Sequence, residues 1–216
     1  MHADDVYTRR FDDREARRKD ETWREIVRYL ARWIPEDAAV LDLGCDRGHF
    51  IRHVRARERW GTDVRDVAMH LGPEVRFVRA DGLRLRDALP ANHFDVVFAS
   101  NYLEHLSGPD AVVEQLRVAR DLLRQGGLLI VLQPNVSLLG GAYWDFIDHR
   151  VALNDRSLVE AAELAGFETR GVIRRFLPYT TKSALPQHPL LVRAYLALPP
   201  AWLVFGKQTL YLGRRV

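Results

Sequence analysis

An α/β fold built on a doubly wound, mainly parallel sheet with an antiparallel C-terminal strand pair is what this sequence predicts. Three observations predict it. Short apolar runs closed by glycine turns alternate with segments of helical apolar spacing from Ala38 to Ala165. Ala38–Leu43 and Leu128–Leu132 are short, mostly apolar runs rather than alternating ones, as in strands covered on both faces. After Gly166 the pattern changes to two strand-like runs, Phe167–Phe176 and Gln208–Arg214, separated by a loop-rich insert.

Each element has its own signal. Trp23, Ile26, Val27, Leu30 and Ile34 fall on one helix face, and the segment from Arg14 ends at Pro35 and Asp37. Ala38–Leu43 is a buried strand. A helix over His49–Arg57 and strands over Arg59–Val64 and Val75–Arg79 follow. Phe94–Ala99 is the next strand, then a helix over Ala111–Arg124 stopped by Gly126-Gly127, then a strand over Leu128–Leu132. Ser157–Ala165 is a helix capped by Asp155 or Ser157 and closed by Gly166. The expected division is one domain over 1–216: a helical cap at 1–37, a cofactor-binding half at 38–135, and an acceptor-side half at 136–216 with an insert at 177–206.

Composition narrows the function. Nearly half of the 216 residues are hydrophobic, which suits a globular chain rather than a disordered one. Lys and Arg (32) nearly balance Asp and Glu (29), so a polyanionic partner such as nucleic acid is not expected. Cys45 is the single cysteine, which excludes an intrachain disulfide and suits a cytoplasmic location. Met1–Arg18 has no apolar core of a signal peptide, and no apolar run is long enough to span a bilayer.

The sharpest signal is Val40-Leu41-Asp42-Leu43-Gly44-Cys45-Asp46-Arg47-Gly48, a strand running into a glycine turn. Ligands of doubly wound sheets bind at strand carboxyl ends where strand order reverses. Gly44 and Gly48 let backbone approach a ligand closely. Asp63 falls twenty-one residues after Asp42, at the end of the next strand, where an acid can accept from both hydroxyls of a ribose. Together these features predict a nucleoside-containing ligand. A dinucleotide fingerprint would need glycine at 46 and 49, which are Asp46 and His49. Asp46 opposes a pyrophosphate but tolerates a sulfonium and an ammonium, so S-adenosylmethionine is favoured over NAD. Asp46 is equally an ordinary left-handed turn residue. Asp81, before Gly82, has the acceptor that adenine's amine needs, although Asp-Gly is also a common turn pair.

Val40–Asn135 resembles the class I S-adenosylmethionine-dependent methyltransferases, which have a Rossmann-like sheet. The resemblance rests on Val40–Cys45, Gly61-Thr62-Asp63, Phe77–Asp81, Phe94–Val97, Asn101–Leu106, Leu123–Gly127 and Pro134-Asn135, in order. Asp46 departs from it, since the family usually has glycine there. The resemblance implies that Asp42 and the Gly44–Gly48 turn, with Cys45 and Asp46, lie near the methionine part of the cofactor. It implies that Asp63 binds ribose beside Val64, that Asp81 next to Gly82 meets the adenine amine, and that Asn101 lies beside the cofactor. Arg174–Gly206 resembles the tail of small bacterial methyltransferases associated with polysaccharide and sugar modification. The matching stretches are Arg175–Thr180 and Gly206-Lys207-Gln208.

On the acceptor side, Glu104-His105 and Trp144–His149 follow the fourth and fifth main strands. Methyl transfer to oxygen calls for removal of a proton, which a histidine can accept. His149, preceded by Asp148, is the first candidate catalytic residue and His105 the second. Asp148 or Asp145 could orient the ring. Either histidine also fits a structural place in a loop or at a helix start. Glu104, His105, Asp145, Asp148 and His149 could alternatively hold a divalent ion, but no ligand spacing is diagnostic and no metal is assigned. The insert at Pro189–Phe205 is placed to cover the acceptor site, to form a homodimer contact, or to add core. The expected reaction is therefore methyl transfer to a hydroxyl of a small, sugar-like acceptor. Nucleic-acid methylation and a non-catalytic binding module are the alternatives.

Overall fold

The structure is a computed structural model that describes residues 13–179 and 188–216. Helix α1 (Asp13–Leu30) leads into β1 (Ala39–Leu43), β2 (Glu58–Asp63), β3 (Val75–Arg79) and β4 (Phe94–Ser100). Helix α2 (Pro109–Leu122), β5 (Leu123–Pro134) and a single turn α3 (Val136–Leu139) follow. The chain ends with α4 (Asp155–Leu164), β6 (Phe167–Ile173), α5 (Pro189–Ala197), α6 (Pro199–Phe205) and β7 (Gln208–Arg215).

The strands form one seven-stranded sheet in the order β3-β2-β1-β4-β5-β7-β6. The first five strands pair in parallel, and β7 runs antiparallel between β5 and β6. The order reverses between β1 and β4, which are neighbours in register Leu43↔Ala99. Such a reversal splays the two following connections to opposite faces and opens a crevice at the carboxyl ends.

Strand alternation feeds two cores. Leu41, Leu43, Val97 and Val131 point to one face and pack with Leu116 and Leu122 of α2 and Leu158 of α4. Val40, Val96, Phe98 and Ile130 point to the other and pack with Ile26, Val27 and Leu30 of α1 and Trp202 of α6. The mostly apolar runs of the central strands β1, β4 and β5 follow from this double cover.

Five local expectations are corrected. The helix over His49–Arg57 is a string of turns, with α-type bonds only from Arg52 to Gly48 and from Val54 to Phe50. Left-handed Asp46 (φ 46) and Gly48 (φ 71) start it, and Arg52 and His53 turn to Asp20 of α1 instead of lining a free helix. Gly126-Gly127 does not stop α2, which ends at Leu122. The pair lies within β5, where pairing with β4 shifts register between Phe94 and Val96. A Cβ on Gly127 would stand 2.9 Å from the Arg124 carbonyl, so the bulge requires glycine. The cap of α4 is Asn154, which accepts from the N–H groups of Arg156 and Ser157 at 2.9 and 3.0 Å. Ser157 returns the bond to the Asn154 N–H, completing a capping box. Strand β6 ends at Ile173, and the described part of the insert is helical rather than loop-rich, each helix opening on proline.

Candidate functional site

A cavity of about 770 Å³ opens at the carboxyl ends of β1, β2 and β4, beneath α1 and α5. The β1 turn contributes Asp42, Gly44, Cys45 and Asp46, and β2 contributes Asp63 and Val64. Gly82 and Asn101 border the same end. His105 and His149 lie on the wall with Glu104, Phe146 and Tyr179. Thus ten of the twelve cofactor-binding and catalytic candidates line one cavity. Gly48 and Asp81 are not on its wall. Gly48 shapes the turn, since a Cβ there would lie 2.4 Å from Leu71 Cδ2. Asp81 is exposed, and its carboxylate accepts from the Leu83 N–H at 2.9 Å, capping the 3₁₀ turn Gly82–Asp87.

The turn holds its shape through backbone bonds and packing. The Cys45 N–H reaches the Thr62 carbonyl at 2.9 Å, tying the turn to β2. Gly44 (φ 64) lies under the Tyr102 ring, where a Cβ would come within 2.5 Å of Cδ2. The Tyr102 hydroxyl donates to Gln115 at 2.8 Å. Asp42 is buried and accepts from the Ile51 backbone; burial raises its pKa well above the usual carboxylate range, and the nearby Asp63 and Asp46 add to the rise. Burial also pushes the Cys45 thiol up, so it is a packed turn residue and not a thiolate.

Asp63 sits in a dense hydrogen-bond shell. Its Oδ1 accepts from the Arg65 N–H at 3.0 Å and Arg65 Nε at 3.1 Å. Its Oδ2 accepts from the Asp46 N–H at 3.1 Å and Arg65 Nη2 at 3.2 Å. Arg65 Nη2 also reaches Asp46 Oδ1 at 2.9 Å, and Lys19 Nζ of α1 lies 4.0 Å from Asp46 Oδ2. Although burial opposes ionisation, Lys19 and Arg65 hold Asp46 below the usual range. The sequence reading missed Arg65 and Lys19, because nothing in their spacing marks them. Behind the turn, Asp20 of α1 faces His49, Arg52 and His53. Burial, with Lys19 nearby, pushes His49 down to about 4.

The chemistry of this end fits S-adenosylmethionine. Three acidic side chains, Asp42, Asp46 and Asp63, line this end, which is compatible with a ligand that carries a sulfonium and an ammonium. The acceptor oxygens of Asp63 are taken up by Arg65 and the Asp46 N–H, so a diol bound there would compete with the Arg65 side chain.

The other end is built around Glu104 and two histidines. Glu104 and His105 lie in the 3₁₀ turn after β4, and the Glu104 carbonyl accepts from the N–H groups of Arg150 and Val151 at 2.8 and 3.1 Å. Those bonds bring His149 next to His105, with ring centroids 5.2 Å apart. His149 also packs on Tyr143 and Phe146. The Glu104 side chain is fully buried; Oε2 accepts from Gln133 Nε2 at 3.1 Å, and burial raises its pKa. His105 Nδ1 lies 3.1 Å from the Asp148 carbonyl, and 3.6 Å from its carboxylate. Asp148 therefore orients His105.

Residues 14–171 match the model of a family described as a methyltransferase domain. No curated protein matches the chain. Among solved structures, an S-adenosylmethionine-dependent methyltransferase from Thermotoga maritima is similar, with 15% identity over 99% of this chain and 96% of that chain, at a TM-score of 0.69. Another, from Mesorhizobium loti, shares 21% identity over 86% of this chain and 95% of its own, at a TM-score of 0.63. The [4+2]-cyclase SpnF is also similar, with 21% identity over 89% and 80% of the two chains and a TM-score of 0.63. At these identities the likeness is one of fold, and the cyclase shows that the fold alone does not fix the reaction. With the family match covering the whole β1–β4 crevice and most of the chain, this protein belongs to that family of methyltransferase domains.

Proposed function

We propose that the chain transfers a methyl group from S-adenosylmethionine to a hydroxyl oxygen of a small, sugar-like acceptor. One observation carries the reading: a single cavity runs from the acid-lined β1 turn to Glu104, His105 and His149. In this reading the turn residues Asp42, Gly44, Cys45 and Asp46 hold the methionine part. Asp63 and Val64 hold the ribose, Gly82 and Asn101 border the cofactor, and Asp81 takes the adenine amine from the rim. The cofactor supplies an electrophilic methyl. Glu104, His105 and His149 are then at the acceptor end, where the hydroxyl must lose its proton as its oxygen is methylated. His149, with His105 beside it, handles that proton.

The acceptor end mixes aromatic faces with acids. Trp23, Phe146, Tyr179 and Tyr195 line the cavity together with Glu104 and Asp148. Sugar rings pack their C–H faces on aromatics and donate hydroxyls to carboxylates, so this wall supports a sugar-like acceptor. A volume of about 770 Å³ suits a cofactor with a small molecule rather than a polymer. Leu191, Val192 and Tyr195 of α5 are on the wall, which supports the insert as a cover of the acceptor site. The outward Leu203 and Val204 of α6 leave a homodimer contact open to test. Among the described residues no helix is long and apolar enough to cross a membrane. The lone buried Cys45 accords with a cytoplasmic location.

The test is incubation with S-adenosylmethionine and a panel of free and nucleotide-linked sugars, read by mass spectrometry. A methylated sugar appearing with S-adenosylhomocysteine is expected. Methylation confined to tRNA or DNA would overturn the reading.

A further inference from the structure

We infer that Glu104, His105 and His149 bind one divalent transition-metal ion, with an open coordination position facing the cavity. The inference rests on reading that end of the cavity as the acceptor's. One ligand atom from each residue lies within 4.8 Å of the others, and Glu104 Oε1 is 3.9 Å from His105 Nε2. Ligands bound at about 2.1 Å to a tetrahedral ion sit about 3.4 Å apart, so each side chain needs to close in by less than about 1 Å.

Two further observations point to a ligand there. A backbone carbonyl only accepts, so His105 Nδ1 must carry the hydrogen it gives to the Asp148 carbonyl at 3.1 Å. That leaves the lone pair on Nε2, the nitrogen turned toward Glu104. Metal-binding histidines are oriented in this way by a carbonyl on the far nitrogen. Glu104 is likewise held from behind: Oε2 takes the Gln133 amide, while Oε1 is buried and has no hydrogen-bond partner. A buried carboxylate oxygen without a partner is costly, and a cation removes that cost.

The donor set selects the ion. One carboxylate oxygen and two imidazole nitrogens suit zinc, manganese, iron(II), cobalt or nickel, whereas magnesium and calcium prefer all-oxygen sites. Three protein ligands leave room for an acceptor oxygen. An ion there lowers the pKa of that hydroxyl. The O–H proton passes to solvent water, and the electron pair stays on the oxygen that takes the methyl group. His105 and His149 then act as ligands, and the ion replaces His149 as the group that makes the hydroxyl acidic.

The experiment titrates cobalt(II) into chelator-stripped, full-length protein, followed by calorimetry and visible absorption. One equivalent per chain is expected, with ligand-field bands of mixed nitrogen and oxygen coordination, displaced by zinc and not by magnesium. E104Q and H149A each weaken cobalt binding by more than about tenfold while S-adenosylmethionine binding is kept. If E104Q does not fold, H149A and H105A carry the test. No stoichiometric cobalt uptake by the folded parent overturns the inference, as does uptake that none of the substitutions weakens. Cobalt bound at one equivalent supports the site even if no hydroxylated acceptor is methylated, a result that counts only against the proposed reaction. Sugar methylation by a protein that takes up no cobalt overturns the site and leaves the reaction standing.

Discussion

Asp63 and Arg65 set the terms at the residue scale. Both Asp63 oxygens already take two N–H groups, so a ribose bound there, as proposed, would have to share or displace the Arg65 contacts. Asp63→Ala is expected to weaken S-adenosylmethionine binding by about 1.5–3 kcal/mol, the cost of charged hydrogen bonds. Calorimetry checks it, and unchanged affinity removes Asp63 from the ribose site. Asp46 has φ 46, a conformation that glycine adopts without strain. Asp46→Gly should leave affinity unchanged or tighter; weaker binding would show that the carboxylate, or its hold on Arg65, contributes. At the acceptor end, His149→Ala should lower turnover by roughly 10²–10⁴-fold with cofactor affinity unchanged. Near-normal turnover in a folded variant makes His149 structural. Sequence alone picked out Asp63, Asp46 and His149 from their places after strands. Arg65 and Gln133 carried no such mark, because their roles depend on which side chains they meet.

At the scale of elements, α1 and α5 form the roof of the cavity and are pinned together. Glu25 of α1 accepts from Arg193 of α5 at 2.9 and 3.1 Å and from Arg28 one turn on. The Arg193 hydrogen bond, helped by Arg28, holds the Glu25 carboxyl below the usual range although burial opposes it. A carboxylate whose folded pKa is lowered stabilises the fold above its unfolded pKa and loses that contribution as pH falls through the folded value. Glu25→Gln should therefore lower the Tm at neutral pH, with the difference from the parent vanishing in acid below the lowered pKa. A Tm difference that persists unchanged in acid would mean that the pair does not act through charge. The apolar period of α1 was legible, and Trp23, Ile26, Val27 and Leu30 occupy the expected face. That Lys19, Thr22, Trp23 and Ile26 also border the cavity was not, since the period reports a buried stripe and not what it is buried against.

For the whole molecule, the order β3-β2-β1-β4-β5-β7-β6 brings the β1 turn, Asp63 and Glu104 to one edge of the sheet. A ligand that bridges those strand ends binds only the folded state. S-adenosylmethionine at a hundredfold over its Kd should stabilise the fold by about 2.7 kcal/mol, raising the Tm by roughly 5–10 °C. NADH should leave the Tm where it is. Scanning fluorimetry with both ligands checks this, and a shift with NADH alone would reverse the cofactor assignment.

Local order in the chain determined the strands, the glycine turn after β1 and the acids at strand ends. Each is a pattern over a few residues, where backbone conformation and burial leave a direct imprint on residue choice. The turns over 44–53 escaped that reading because Asp20, on a distant helix, takes the side chains of Arg52 and His53. Only the tertiary structure decided that Arg65 bridges Asp63 and Asp46, and that Glu104 and His105 meet His149 across more than forty residues of chain. Contacts of that kind are made by strand order and by the backbone bonds from Arg150 and Val151 to Glu104. Spacing along a chain carries no distance once it passes through a crossover.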